Sequence, residues 1–105
     1  MNIFKGGKTM TSKERAYLRG LANTIDSIFQ VGKGGISDVL IEQLNNAIEA
    51  RELIKITVLE TAPGNAKELA NVIANSTNSE VVQTVGNKIT LFRQKKKNSK
   101  IEFPR

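Results

Sequence analysis

One stretch of the chain has residue types and spacing suited to holding a ligand: Gly32-Lys33-Gly34-Gly35. It lies between a short apolar run, Ile28-Phe29-Gln30-Val31, and a helical pattern that opens at Ile36-Ser37. Glycines let the main chain come close to a ligand and adopt positive φ at little steric cost. A helix start just beyond them offers unpaired N–H groups and the positive end of the helix dipole, both suited to a phosphate. Lys33 adds a full charge at the tip. The chemistry on offer is anion binding rather than bond making. Four residues by themselves fit a plain glycine turn equally well.

The residues usually needed for bond making are scarce. There is no histidine and no cysteine. A histidine-based acid/base or nucleophile pair is therefore ruled out, as are disulfides and thiolate chemistry. A zinc site would have to rely on carboxylates alone. Glu52 and Glu60 are the one pair that can be imagined as acid and base, and nothing around them marks a pocket. The expectation is a protein that is not an enzyme and carries neither cofactor nor metal.

The elements that must position the glycine stretch follow from length and pattern. A chain of 105 residues, 39% of them hydrophobic, supplies one modest core and not two. No apolar run approaches the ~18 residues of a membrane span. Residues 1–10 show no period and are expected to be a flexible leader. Thr11 and Glu14 have the spacing of a capping box, and Leu18, Leu21, Ala22 and Ile25 recur at helical spacing. Ile28–Val31 is a strand. Ser37 caps a second helix, whose stripe is Ile36, Val39, Leu40, Leu44, Ala47 and Ile48 and which ends near Arg51-Glu52. Residues 53–60 alternate as a half-buried strand. Pro63-Gly64 makes a turn, and Asn65 caps a third helix that buries Leu69, Val72 and Ile73. Glu80–Val85 and Lys88–Arg93 flank Gly86-Asn87, a two-residue hairpin signal with Gly86 at positive φ. The order α-β-α-β-α-β-β predicts an α/β fold: a four-stranded mixed sheet, its parallel part joined by a helical crossover, in two layers.

Charge is unevenly distributed. Residues 1–35 hold six Lys/Arg against two Asp/Glu, residues 36–85 three against seven, and residues 86–105 seven against one. The basic charge flanks an acidic middle. If folding joins the ends, they form one positive face suited to a polyanion, the alternative being two solvated basic tails.

Several stretches, in this order and at these intervals, resemble one known family. They are Tyr17-Leu18-Arg19-Gly20-Leu21-Ala22, Phe29-Gln30-Val31-Gly32-Lys33-Gly34-Gly35-Ile36, Arg51-Glu52-Leu53-Ile54-Lys55-Ile56, and Glu80-Val81-Val82-Gln83-Thr84-Val85-Gly86-Asn87 with Leu91-Phe92-Arg93. Together they resemble the YhbY-like proteins, built from a single CRM domain (chloroplast RNA splicing and ribosome maturation), over about residues 11–93. The resemblance implies a fold similar to the C-terminal domain of translation initiation factor three. It also implies RNA binding, with the stand-alone bacterial members linked to precursors of the large ribosomal subunit. A G-x-x-G loop, which in KH modules clamps nucleotide backbone, is the family's proposed RNA contact. That role falls on Gly32, Lys33, Gly34 and Gly35.

The expectation is thus a CRM RNA-binding domain over residues 11–93, followed by a basic, disordered tail over 94–105. Lys13, Arg15, Arg19, Lys88, Arg93, Lys95, Lys96 and Lys97 would widen the positive face on charge grounds. Arg15 and Arg19, four residues apart, would repel one another by about 0.2–0.5 kcal/mol, a hint of an anionic partner. Lys55 reads as a strand residue facing solvent. The expected partner is RNA, ribosomal or from a large-subunit precursor, with no membrane and no small-molecule substrate. The protein is expected to be a cytoplasmic monomer. The alternative is an adaptor that docks on ribosomal proteins or assembly factors through Glu42 and Glu49, seven residues apart on the second helix.

Overall fold

Three helices begin where side chains cap them, and these caps set the frame of the domain. In the computed structural model, which describes residues 10–95 and 101, the elements are α1 (Ser12–Ala22), β1 (Phe29–Val31), α2 (Asp38–Arg51), β2 (Leu53–Val58), α3 (Ala66–Thr77), β3 (Glu80–Val85) and β4 (Lys88–Phe92). Thr11 and Glu14 form the full capping box of α1, and Asn65 and Glu68 form another on α3. Ser37 accepts from the Leu40 N–H at the start of α2. Each such cap is worth about 1 kcal/mol.

The strands form one mixed sheet in the order β1-β2-β4-β3. β1 and β2 run parallel, with Val31 beside Val58. β4 runs antiparallel to both neighbours. Gly86 has φ 59° and Asn87 is not at positive φ, which is the II′ arrangement of a two-residue hairpin. A bulge falls between Val81 and Gln83 on β3, an edge strand.

Alternation along the strands divides the core in two. Ile54, Ile56, Val58, Ile89 and Leu91 face α2 and α3 and join Val31, Leu44, Ile48, Leu69 and Ile73. Leu53, Phe92 and Val82 point the other way and are covered by Leu18 of α1. β2 is therefore buried on both faces along most of its length, and not half-buried as its alternation suggests. α1 covers the end of the sheet at Leu53 and Phe92; the end at Thr57 and Lys88 lies beyond it.

Two helical stripes differ from the expectation. Val39 is 63% exposed and Val72 49% exposed. At 100° per residue, Leu40, Ile41, Leu44, Ala47 and Ile48 already fill the inward arc of α2, and Val39 falls well outside it. On α3 the same arc is filled by Ala66, Leu69, Ala70, Ile73, Ala74 and Thr77. Short alanines let α3 lie close to the sheet, so the valine is not needed there.

Of the segment beyond Arg93, expected as a basic, disordered tail, the structure describes residues 94, 95 and 101. Glu52, the C-cap of α2, is fully buried with φ 69°. Its carboxylate accepts from the Lys95 N–H at 2.7 Å and the Ile101 N–H at 3.2 Å, and its carbonyl accepts from the Arg93 N–H. Ile101 packs with Met10, Leu21 and Ile25 against the smaller core. A buried carboxylate needs donors, and the main chain past β4 supplies two among the described residues. Lys96, Lys97, the rest of that segment and residues 1–9 lie outside the described residues.

Candidate nucleic-acid interface

Parallel pairing of β1 and β2 brings their C-terminal ends side by side, and so the loops that leave them. Residues 32–35 follow β1 and residues 59–64 follow β2. The first is a tight turn, with the Gly35 N–H donating to the Gly32 carbonyl at 2.9 Å. Neither Lys33 nor Gly34 has positive φ, as in a type I turn with glycine at its last position. The residue that needs glycine is Gly35, at φ 69°, where a methyl group would also stand 3.0 Å from Pro63 Cγ. Gly32 lies close enough to Leu59 and Thr61 that an added Cβ would touch both, at 3.4 and 3.6 Å. The second loop thus buttresses the first, a pairing through Leu59, Thr61 and Pro63 that sequence reading did not anticipate. Its signal was the parallel pairing itself.

The turn holds Lys33 and Gly34 at its exposed tip. Lys33 has no hydrogen bond or ion pair among the described residues, and a Cβ added at Gly34 would meet nothing within 4 Å. This is a cation on open backbone. The helix start behind it is less free than expected. Ser37 occupies the Leu40 N–H, and Asp38 places a carboxylate in the first turn. A phosphate is therefore better met by Lys33 and the turn than by the end of α2.

Lys88 stands at the same end of the sheet, beside the hairpin turn, whose Asn87 carbonyl accepts from the Val58 N–H. Its ammonium donates to Thr57 Oγ1 at 2.9 Å. The Thr57 hydroxyl in turn donates to Ser27 Oγ at 2.7 Å, and Ser27 to the Phe29 carbonyl. The chain of hydroxyls fixes Lys88 and leaves two of its three N–H bonds available.

Of the other basic residues singled out for the positive face, those that the structure describes do not join this group. Arg15 is half-buried and donates to the Val81 and Val82 carbonyls at 2.7 and 3.0 Å, closing the bulge of the edge strand. Arg93 binds Asn45, the Thr77 carbonyl and Glu49, with an ion pair of 3.0 Å. Both sit at the Leu53–Phe92 end of the sheet, roughly 17 Å from the loop by the length of β2. Lys13 and Arg19 are exposed on α1 without partners among the described residues. Lys95 is held through its backbone by Glu52. Glu49 is occupied by Arg93, and Glu42, the other member of the acidic pair on α2, is exposed with no partner among the described residues. Glu52 and Glu60 flank opposite ends of β2, too far apart to act on one substrate atom.

Comparison with known proteins places this geometry among relatives. "Probable RNA-binding protein YqeI" of Bacillus subtilis is 42% identical over 95 residues, spanning 90% of this chain and 99% of its own. An RNA-binding protein of Haemophilus influenzae is 29% identical over 97 residues, covering 92% and 97%. The solution structure of a hypothetical protein from Staphylococcus aureus, described as a candidate RNA-binding protein, superposes with a TM-score of 0.77 at 46% identity. It covers 91% of this chain and all of that one. The CRS1 / YhbY (CRM) domain pattern matches residues 10–93. With the α/β fold, the mixed sheet and the glycine turn in place, the chain belongs to the CRS1/YhbY (CRM) domain family.

Proposed function

We propose that this protein binds RNA without transforming it, through the Gly32–Gly35 turn with Lys33 at its tip and Lys88 beside it. We further propose that the RNA is ribosomal and is met during assembly of the large subunit. The observation that carries the reading is the exposed Lys33, unpaired among the described residues, on a turn braced from behind by Leu59, Thr61 and Pro63. A braced turn presents its N–H groups and charge without having to order them on binding. The relatives named for RNA binding support the partner class. The resemblance to stand-alone bacterial CRM proteins supports the ribosomal assignment. Scarce aromatic residues, one Tyr and four Phe, argue for recognition of backbone and shape over base stacking.

The test is a salt titration with a structured ribosomal RNA fragment. Log affinity falls linearly with log salt, with a slope reporting several phosphate contacts. A flat response overturns the reading. Recovery of large-subunit precursors on the protein, before and after ribonuclease treatment, separates it from an adaptor role: association that survives the nuclease would favour protein docking.

A further inference from the structure

On the sheet face turned away from α2 and α3, α1 packs against the Leu53–Phe92 end. Beyond it, strand register lays out two polar rows. Gln30, Thr57, Lys88 and Val85 stand abreast across all four strands. Behind them stand Lys55, Thr90 and Gln83 across three. The rows contain two lysines and no carboxylate. Lys55 has no hydrogen bond or ion pair among the described residues; Gln30, Lys88 and Val85 are exposed and Lys55 and Gln83 half-buried, while Thr57 and Thr90 between them are buried. Four strands at their usual spacing span about 14 Å, the reach of two or three nucleotides. The first row adjoins the glycine turn, because Gln30 precedes Val31 and Gly32 in β1.

We infer that the exposed side chains of these two rows form a second RNA contact, over which a single strand runs on from the glycine turn. The inference rests on the RNA-binding reading above and extends it. Lys55 and Lys88 meet successive phosphates. The amides of Gln30 and Gln83, each with donors and an acceptor, meet ribose hydroxyls or base edges. Charge complementarity and continuity with the turn select a polyanion as the occupant. A flat face reads splayed bases, which a duplex with its deep, narrow major groove does not offer. No aromatic residue stands in either row, so base preference is weak.

The experiment uses the full chain, a labelled uridine-rich single strand of about ten nucleotides, and a blunt RNA hairpin of the same length. Lys55→Ala lowers affinity for the single strand on the order of five-fold at 0.1 M salt, the effect of one phosphate contact at a slope of about 0.7. Gln30→Ala with Gln83→Ala lowers it by a smaller factor, and the hairpin competes poorly. In the parent protein, amide resonances of Gln30, Lys55, Gln83 and Lys88 shift when the single strand is added. Should Lys55→Ala bind within two-fold of the parent and these amides stay still while Gly34→Asp loses on the order of ten-fold in affinity, the sheet-face contact is wrong and the turn stands. Should Gly34→Asp bind like the parent while Lys55→Ala does not, the turn is wrong and the sheet is the site. A hairpin that binds as well as the single strand, with equal sensitivity to Lys55→Ala, overturns the single-strand assignment.

Discussion

Deleting residues 94–105 should destabilise the domain, and substituting Glu52 should restore much of the loss. Glu52 is fully buried at the C-cap of α2 and receives the N–H groups of Lys95 and Ile101. Hydrogen bonds to a charged acceptor contribute about 1.5–3 kcal/mol each. Truncation after Arg93 removes these two donors while leaving the carboxylate in place, and it uncovers the apolar surface that Ile101 covers. Removing a partner from a buried charge costs about 3–5 kcal/mol in general. Opening the end to water reduces this, so a loss of about 2–4 kcal/mol is expected. At roughly 4–6 °C per kcal/mol for a domain of this size, melting falls by about 8–24 °C. In the full chain Glu52→Ala loses the same bonds but also the buried charge, and costs about 1–3 kcal/mol. In the truncated chain Glu52→Ala removes a buried charge that has lost these two donors and should raise stability. The assay is thermal melting of the four proteins as a double-mutant cycle. A truncated chain that melts with the parent, or a Glu52→Ala effect of equal size and sign in both backgrounds, refutes the reasoning.

Two further predictions concern stability. Gly35→Ala destabilises by 1 kcal/mol or more in thermal melting, since it forces a side chain into positive φ against Pro63, while Gly34→Ala stays within ~0.5 kcal/mol of the parent. Arg15→Leu leaves the Val81 and Val82 carbonyls without their donor and costs about 1–3 kcal/mol. If denaturant midpoints show no change for Arg15→Leu, the arginine is available for RNA after all.

The features legible in the sequence are those set by short-range chemistry. Thr11 with Glu14, Ser37, Asn65 and Gly86 each announce their element within three residues, and each element starts or turns there. Val39 and Val72 mislead because an apolar side chain at helical spacing says nothing about how wide an arc the neighbours leave to fill. β2 misleads because its buried outer face depends on α1, whose docking is a long-range event. Glu52 carries no local signal at all. A glutamate before a strand reads as a surface residue, and only the return of the chain past β4 shows what it holds. The candidate site divides in the same way. The glycine turn is visible as a motif, but whether a lysine is free or occupied depends on partners far along the chain. Arg15 meets Val81, Arg93 meets Asn45, and Lys33 meets none of the described residues. Lys55, read as a solvated strand residue, gains interest only once register places it behind Thr57 and Lys88.

The central claim, that the Gly32–Gly35 turn holds RNA backbone, is tested most directly by Gly34→Asp. The position is exposed, is not at positive φ and leaves room for a side chain. The variant therefore changes the charge at the tip without disturbing the fold, and stability falls by no more than ~1 kcal/mol. Binding to a ribosomal RNA fragment at 0.1 M salt is measured beside thermal melting of the same sample. The account predicts an affinity loss on the order of ten-fold with near-parental melting, and for Lys33→Ala a salt slope reduced by about one. A Gly34→Asp protein that folds normally and binds the RNA as tightly as the parent would contradict it, and the turn would then be only a turn.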